Sequence, residues 1–347
     1  MRTAVVLFNL GGPDGPEAVR PFLSNLFNDP AILRVPDLVR RALAWLIAKR
    51  RAEEATRIYA ELGGSSPILP ETMAQADALQ NILNGRGEFF VFIAMRYWHP
   101  LSDETARDVA AYGPDRVCLL PLYPQFSTTT TGSSLTAWNV AASKAGIDVT
   151  TTAVCCYSTD SGFISAQAEI VSEAVDRCKS AAGGHVPRVL FSAHGLPQKI
   201  VDAGDPYQWQ VGHTAEAVAA EANLTDGSWV VCFQSRVGPL KWIGPETKAE
   251  IERAGAESVP VVVVPIAFVS EHSETLVELD IEYRRIAAAA GVPVYERAST
   301  VRTHPAFIQG LTDLVMANVE APEALQSSTG HRQCPQSLVC CAMSGND

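Results

Sequence analysis

The chain has 347 residues, 47% of them hydrophobic, enough for a sizeable core and for two domains of ordinary size. Its net charge of −11, from 38 acidic and 27 basic residues, opposes nucleic-acid binding as a general property. It contains no run of 18 or more apolar residues, so no helix is expected to span a bilayer.

The first residues, MRTAVVLFNL, read directly as a strand, with no secretory n-region or cleavage site, and a cytoplasmic location is expected. Gly11 and Gly12 follow that strand, but G-x-G-x-x-G and the P-loop lysine pattern are absent. These glycines either let backbone approach a flat ligand closely or make a turn. Residues 36–51, PDLVRRALAWLIAKRR, combine apolar positions and Trp45 with Arg40, Arg41, Lys49, Arg50 and Arg51. This pattern fits an ordinary half-buried helix, or a basic amphipathic helix lying on an anionic membrane surface.

Further along, apolar β-branched runs alternate with longer amphipathic or Ala-rich stretches. The runs are Ala4–Leu7, Phe90–Ala94, Val117–Leu122, Val149–Val154, Val189–Ser192, Val230–Phe233 and Val259–Ile266. Such alternation predicts an α/β protein with parallel sheets and helices on both faces. Strand-ending loops recur in both halves, NLGGP in the first and SAHGLP in the second, which predicts two related α/β units facing each other across a cleft. The boundary is expected between Val149 and Phe163, dividing 1–155 from 156–325. A C-terminal segment is expected to pack back across the halves.

VLFSAHGLPQK (Val189–Lys199) is a strand-like run that places His194 at its carboxyl end, where open α/β sheets bind their ligands. A strand-end histidine is either a structural residue or a proton acceptor suited to neutral pH. In PIAFVSEHSETLVELDIEY (Pro265–Tyr283), His272 heads Glu274, Glu278 and Glu282, spaced i, i+4, i+8. On an α-helix each step of four turns about 40° and rises about 6 Å, so the carboxylates would form one column. That column is either a solvated acidic face or a path for a divalent cation or for protons.

Eight cysteines are present: Cys118, Cys155, Cys156, Cys178, Cys232, Cys334, Cys340 and Cys341. In a cytoplasmic protein, disulfides are not expected. Cys118 and Cys232 read as small core residues in strands. The tail, 326–347, ends HRQCPQSLVCCAMSGND and holds three cysteines in eight residues. Thiols this dense suggest a metal centre, with Cys155 or Cys156 as a fourth donor. A zinc site and a disordered tail with adventitious thiols are the alternatives.

The chain resembles the ferrochelatases, which insert ferrous iron into a porphyrin to make heme. FNLGGP (Phe8–Pro13), LGGSSPI (Leu62–Ile68), AMRYWHP (Ala94–Pro100) and LPLYPQFSTTTTGSS (Leu120–Ser134) carry the resemblance in the first half. FSAHGLP (Phe191–Pro197), FQSRVGPLKWIGPET (Phe233–Thr247) and the Pro265–Tyr283 segment carry it in the second. The resemblance implies two Rossmann-like chelatase domains, with residues 22–68 as an apolar lip over a porphyrin site. It implies His194 as proton acceptor and Glu274 as its partner. Glu278 and Glu282 would extend a path for protons or Fe²⁺, so that His194, Glu274, Glu278 and Glu282 are also candidate metal contacts.

The same resemblance gives Leu10, Arg51, Tyr59, Ser66, Arg96, Tyr97, Tyr123, Trp242 and His272 as porphyrin contacts, with His272 also supporting Glu274. Arg51 would pair with a propionate. Some members carry a [2Fe–2S] cluster on three C-terminal cysteines and one internal one. Here that implies Cys334, Cys340 and Cys341 with Cys156, or alternatively Cys155. This chain departs from the animal pattern, having Thr128 where the internal ligand lies there and C-x₅-C-C in the tail. The implied substrates are protoporphyrin IX and Fe²⁺, and the implied product is protoheme, in the last step of heme synthesis. A homodimer and peripheral contact with the inner membrane through 36–51 are further expectations. The rival readings are a cobalt or coproporphyrin chelatase and a non-catalytic porphyrin or heme carrier.

Overall fold

The computed structural model describes residues 1–236, 238–321 and 324–344, so the end of the expected tail, 345–347, lies outside the described residues. The chain divides into two compact units, Met1–Cys156 with Leu311–His331, and Tyr157–Gly310 with Arg332–Asp347. A linear division at 155/156 and 325/326 lacks these later crossings.

Unit 1 runs β1 (Arg2–Asn9), α1 (Val19–Phe27), α2 (Asp37–Ala60), α3 (Ile68–Leu83), β2 (Glu88–Met95), α4 (Ser102–Tyr112), β3 (Arg116–Pro121), α5 (Thr131–Ala145) and β4 (Thr150–Cys156). Unit 2 runs α6 (Ser161–Ala181), β5 (Arg188–His194), α7 (Gln198–Asp202), α8 (Tyr207–Glu221), β6 (Trp229–Gln234), α9 (Thr247–Ala256) and β7 (Val261–Pro265). It continues through a π-helix (Glu274–Glu282), α10 (Tyr283–Ala290) and β8 (Tyr295–Arg297). Within α11 (Pro305–Glu320) the chain re-enters unit 1, which β9 (Leu325–Ser327) completes.

Both sheets are parallel throughout. Unit 1 has the order β2-β1-β3-β4-β9 and unit 2 the order β6-β5-β7-β8. The central strands are apolar at successive positions because both faces are covered. In β1, Ala4, Val6 and Phe8 pack with Ala106 and Val109 of α4 and Trp138 and Ala141 of α5. Val5 and Leu7 point the other way and are equally buried. On that second face the Cys118 thiol donates to Asn318 Oδ1 of α11 at 3.4 Å. In unit 2, Leu190, Val261 and Val263 pack with Ile251 and Ala254 of α9 and with Leu279, Tyr283 and Ala287. Burying such side chains contributes about 1.5–3 kcal/mol each, which offsets the ordering of the chain.

The fold differs from sequence expectation in one helix. The Glu274–Glu282 segment is a π-helix, not the α-helix its i, i+4 spacing predicts. Its backbone bonds reach one residue further, a rare geometry frequently found at functional sites. The described part of the tail is hydrogen-bonded, against the alternative of a disordered segment. Arg332 donates to the carbonyls of Cys334 (3.1 Å), Pro335 (2.9 Å) and Leu338 (3.3 Å), and Cys340 N donates to Gly204 O at 3.1 Å.

Candidate active site

Three neighbouring strands of unit 2 end at one place, and each delivers a polar residue there. β5 ends on His194, β6 is followed by Ser235, and β7 leads through a short loop to the π-helix that starts at Glu274. Gly195 is required for the close packing of the first two ends. A Cβ there would lie 2.8 Å from Gln234 O and 3.4 Å from the Trp242 ring. Beneath the site, the Ser192 hydroxyl is fully buried and bonded to Gln234 Oε1 (2.5 Å) and Thr247 Oγ1 (2.8 Å), which fixes the strand ends together.

His194 Nδ1 lies 2.8 Å from Glu274 Oε2. A carboxylate only accepts, so Nδ1 carries the hydrogen and Nε2 keeps its lone pair. Ser235 connects this pair to the next carboxylate. Its hydroxyl lies 3.2 Å from Glu274 Oε2 and 2.5 Å from Glu278 Oε2, and its backbone N donates to Glu278 Oε1 at 2.8 Å. Tyr283 OH donates to the same Oε1 at 3.0 Å. On the far side, His272 Nε2 is 3.9 Å from Glu274 Oε1, with its ring centroid 4.8 Å from that of Phe268.

The remaining acidic residues of this segment have ordinary structural partners. Glu271 is buried on Arg297 at 3.0 Å, and Asp280 pairs with Arg284 at 2.6 Å and Arg297 at 3.3 Å. Glu274, in contrast, pairs with two histidines. Glu282 is exposed and stands outside the hydrogen-bonded group. The expected column of three carboxylates is therefore a bonded pair plus one solvent-facing residue.

The environments push like groups apart, the pattern of assigned acid and base roles. Burial acts to lower the His194 pKa, but the Glu274 charge and hydrogen bond, with Glu278 behind them, raise it overall. Burial dominates at His272, whose pKa is lowered. Burial would raise Glu274, yet the charge and hydrogen bond of His194, followed by His272, hold it at about 2. Glu278 is raised by burial and by the neighbouring Glu274 charge.

The other expected contacts lie in unit 1, except Trp242, which packs beside Gly195. Leu10, Tyr59 and Tyr97 belong to one apolar cluster with Val19, Phe22 and Trp98. A Cβ on Gly12 would lie 2.5 Å from Ser66 Oγ, so the NLGGP and LGGSSPI loops meet. Arg51 lies on α2, partly buried, and Tyr123 follows β3, packed against the sheet core. Arg96 donates to Asp29 Oδ2 at 2.8 Å and to Ser133 Oγ at 2.7 Å, with its guanidinium carbon 4.9 Å from the Tyr97 ring centre. Tyr97 is 1% exposed and donates its hydroxyl to Asp29 at 2.7 Å, the carboxylate that Arg96 also binds. Arg96, Asp29 and Ser133 border a cavity of about 670 Å³.

Cys155 and Cys156 lie in β4, with sulfurs 3.3 Å apart, while the tail cysteines belong to unit 2. Cys334 accepts from Gln210 Nε2 at 3.2 Å, and Cys340 donates to Ala203 O at 3.2 Å. Among the described residues no group of three or more His, Cys, Asp or Glu is arranged to hold a metal ion.

Sequence reasoning missed Ser235, Asp29 and Tyr283 as site residues. Ser235 and Tyr283 lie within the motifs FQSRVGPLKWIGPET and PIAFVSEHSETLVELDIEY; Asp29 has no comparable signal.

A family model described as Ferrochelatase matches residues 2–319. A protein named ferrochelatase from Caulobacter vibrioides is 55% identical over 335 residues, covering 95% of this chain and 94% of the relative. The ferrochelatase of Phenylobacterium zucineum is 52% identical over 346 residues, covering 99% and 98%. That of Pelagibacter ubique is 45% identical over 345 residues, covering 96% and 98%. Among solved structures, the sirohydrochlorin chelatase SirB of Bacillus subtilis subspecies spizizenii, in complex with cobalt, superposes with a TM-score of 0.55 at 12% identity. It covers 93% of this chain and 97% of its own, a likeness of fold alone.

Proposed function

The chain belongs to the ferrochelatase family, and from that membership we propose that it is a lyase-class enzyme inserting Fe²⁺ into protoporphyrin IX to give protoheme. The observation that carries the mechanism is the His194–Glu274 pair at the convergent strand ends. A free-base porphyrin holds two pyrrole N–H protons in a stiff plane. Both must leave for all four nitrogens to hold the metal.

His194 Nε2 is the acceptor. Its Nδ1 hydrogen is fixed on Glu274, so the proton gained at Nε2 is balanced by a carboxylate already ionised. Glu278, whose pKa is raised and which Ser235 links to Glu274, takes the proton onward, which frees His194 to accept the second; Glu282 faces solvent outside this hydrogen-bonded group. Fe²⁺ is the substrate, and by resemblance His194, Glu274, Glu278 and Glu282 are its candidate contacts, although the side chains as described are not gathered into a ligand set. His272 supports Glu274. Leu10, Arg51, Tyr59, Ser66, Arg96, Tyr97, Tyr123 and Trp242 are assigned to the porphyrin by family resemblance, with Arg51 on a propionate.

An anaerobic assay of protoporphyrin with Fe²⁺, followed by loss of porphyrin fluorescence and gain of heme absorbance, tests this reading. Binding without insertion would favour a carrier. Activity only with coproporphyrin or Co²⁺ would move the substrate assignment.

A [2Fe–2S] cluster on Cys334, Cys340, Cys341 and Cys156 or Cys155 rests on thiol density and resemblance. Iron and acid-labile sulfide analysis of anaerobically prepared protein tests it, and their absence would sink it. The homodimer implied by resemblance is tested by sedimentation, and a monomer at working concentration would sink it.

A further inference from the structure

Ser235 has φ of 60°, a left-handed backbone conformation that a non-glycine residue adopts at a cost and keeps only where its surroundings over-determine it. Its surroundings do so. On one side, the Gln234 carbonyl accepts from Gly195 N at 2.9 Å, and Phe233 N donates to Pro245 O at 2.9 Å. On the other, the Ser235 backbone N–H is held by Glu278 Oε1 at 2.8 Å. This twist leaves the hydroxyl between two carboxylates, 2.5 Å from Glu278 Oε2 and 3.2 Å from Glu274 Oε2. One hydroxyl has one hydrogen to give, so it donates to only one of them at a time. Two carboxylates this close to one shared group repel each other, and without the bridge Glu274 is free to turn away from the imidazole.

We propose that Ser235 is a positioning residue that couples Glu274 to Glu278 and holds Glu274 Oε2 on His194 Nδ1. It acts through Glu274, and the inference rests on the reading of His194 as proton acceptor. The backbone strain at Ser235 is retained because a hydroxyl is needed at this position and glycine cannot supply one.

Ser235→Gly separates the hydroxyl from the fold. Glycine accepts the same φ without strain and keeps the N–H bond to Glu278. The expected result is a urea midpoint no lower than the parent's, porphyrin KM within about twofold, and kcat reduced by about tenfold or more. Ser235→Ala should lose kcat equally but also lose stability relative to Ser235→Gly, since alanine bears the left-handed strain without the hydroxyl's bonds to the carboxylates. Turnover of Ser235→Gly within about twofold of the parent would overturn the proposal. So would a loss of stability that accounts for the loss of turnover.

A readout independent of turnover is the ¹⁵N chemical shifts of the His194 imidazole. The parent is expected to show a single tautomer with hydrogen on Nδ1, and Ser235→Gly an averaged one. Identical shifts in the two proteins would overturn the inference. Failure of the functional reading appears instead in the parent, as no metalloporphyrin formed.

Discussion

His194 Nδ1 and Glu274 Oε2 are 2.8 Å apart, although 80 residues separate them in the chain. The contact fixes the imidazole tautomer and leaves Nε2 as the ring nitrogen able to accept a proton. His194→Ala should therefore abolish heme formation, by about 10²–10⁴-fold for loss of a positioned general base, while porphyrin binding and the fold persist. Glu274→Gln should lose nearly as much, because an amide cannot balance the imidazolium. Paired turnover and fluorescence-titration measurements decide this. Near-parental turnover in His194→Ala would refute its role as acceptor.

The same pair makes stability depend on pH in two windows. Glu274 is held at about 2 in the folded chain, against a usual value of 4.5. Its contribution is therefore present above 4.5 and lost as pH falls towards 2. The folded pKa of His194 is raised above 6.5, so its contribution is present below 6.5 and lost as pH rises through the raised value. In Glu274→Gln both slopes should flatten together. Urea midpoints measured across acid and neutral pH check this, and unchanged curves would mean the pair is not coupled.

Much of the fold was legible because its signals are local. Buried parallel strands need continuous apolar runs, and seven such runs in the sequence correspond to β1–β7. His194 was legible because a strand-end histidine followed by Gly195 needs only one segment to be seen. The π-helix was not, since Glu274, Glu278 and Glu282 read as an α-helical face; the wider turn and the exposure of Glu282 depend on packing. Ser235 was missed because its partners lie 39 and 43 residues away and its backbone twist leaves no mark on its neighbours. Asp29 was missed for the same reason, with Arg96 67 residues away and Ser133 104.

Asp29 is 3% exposed and accepts from Arg96, Tyr97 and Ser133. Removing it leaves the guanidinium without its ion-pair partner. Asp29→Ala should cost about 3 kcal/mol, the low end for breaking a buried pair, since Arg96 keeps some solvent contact. Asp29→Asn should cost less, because an amide oxygen still accepts. Denaturant titration measures both, and a loss below about 1 kcal/mol in Asp29→Ala would show that water replaces the carboxylate.

Helix α2 carries the most exposed apolar surface of its region, with Leu38 82%, Trp45 52% and Val39 48% exposed. Lys49 Nζ lies 5.3 Å from the Trp45 ring centre, which sets a cation beside the amphipathic aromatic group. Arg40 is turned inward, donating to the carbonyls of Asn28 at 2.8 Å and Val35 at 3.3 Å. Arg41, Lys49 and Arg50 are left as the exposed cations of this stretch. An enzyme acting on a poorly soluble porphyrin gains from residing where its substrate partitions. Binding to anionic liposomes should exceed binding to neutral ones, since each basic residue near such a surface contributes about 1 kcal/mol. Reversing Lys49 and Arg50 together to Glu should weaken co-sedimentation by about tenfold or more while leaving turnover with detergent-dispersed porphyrin unchanged. Equal binding to neutral and anionic liposomes would remove the electrostatic component and leave α2 as a helix whose exposed face has another partner.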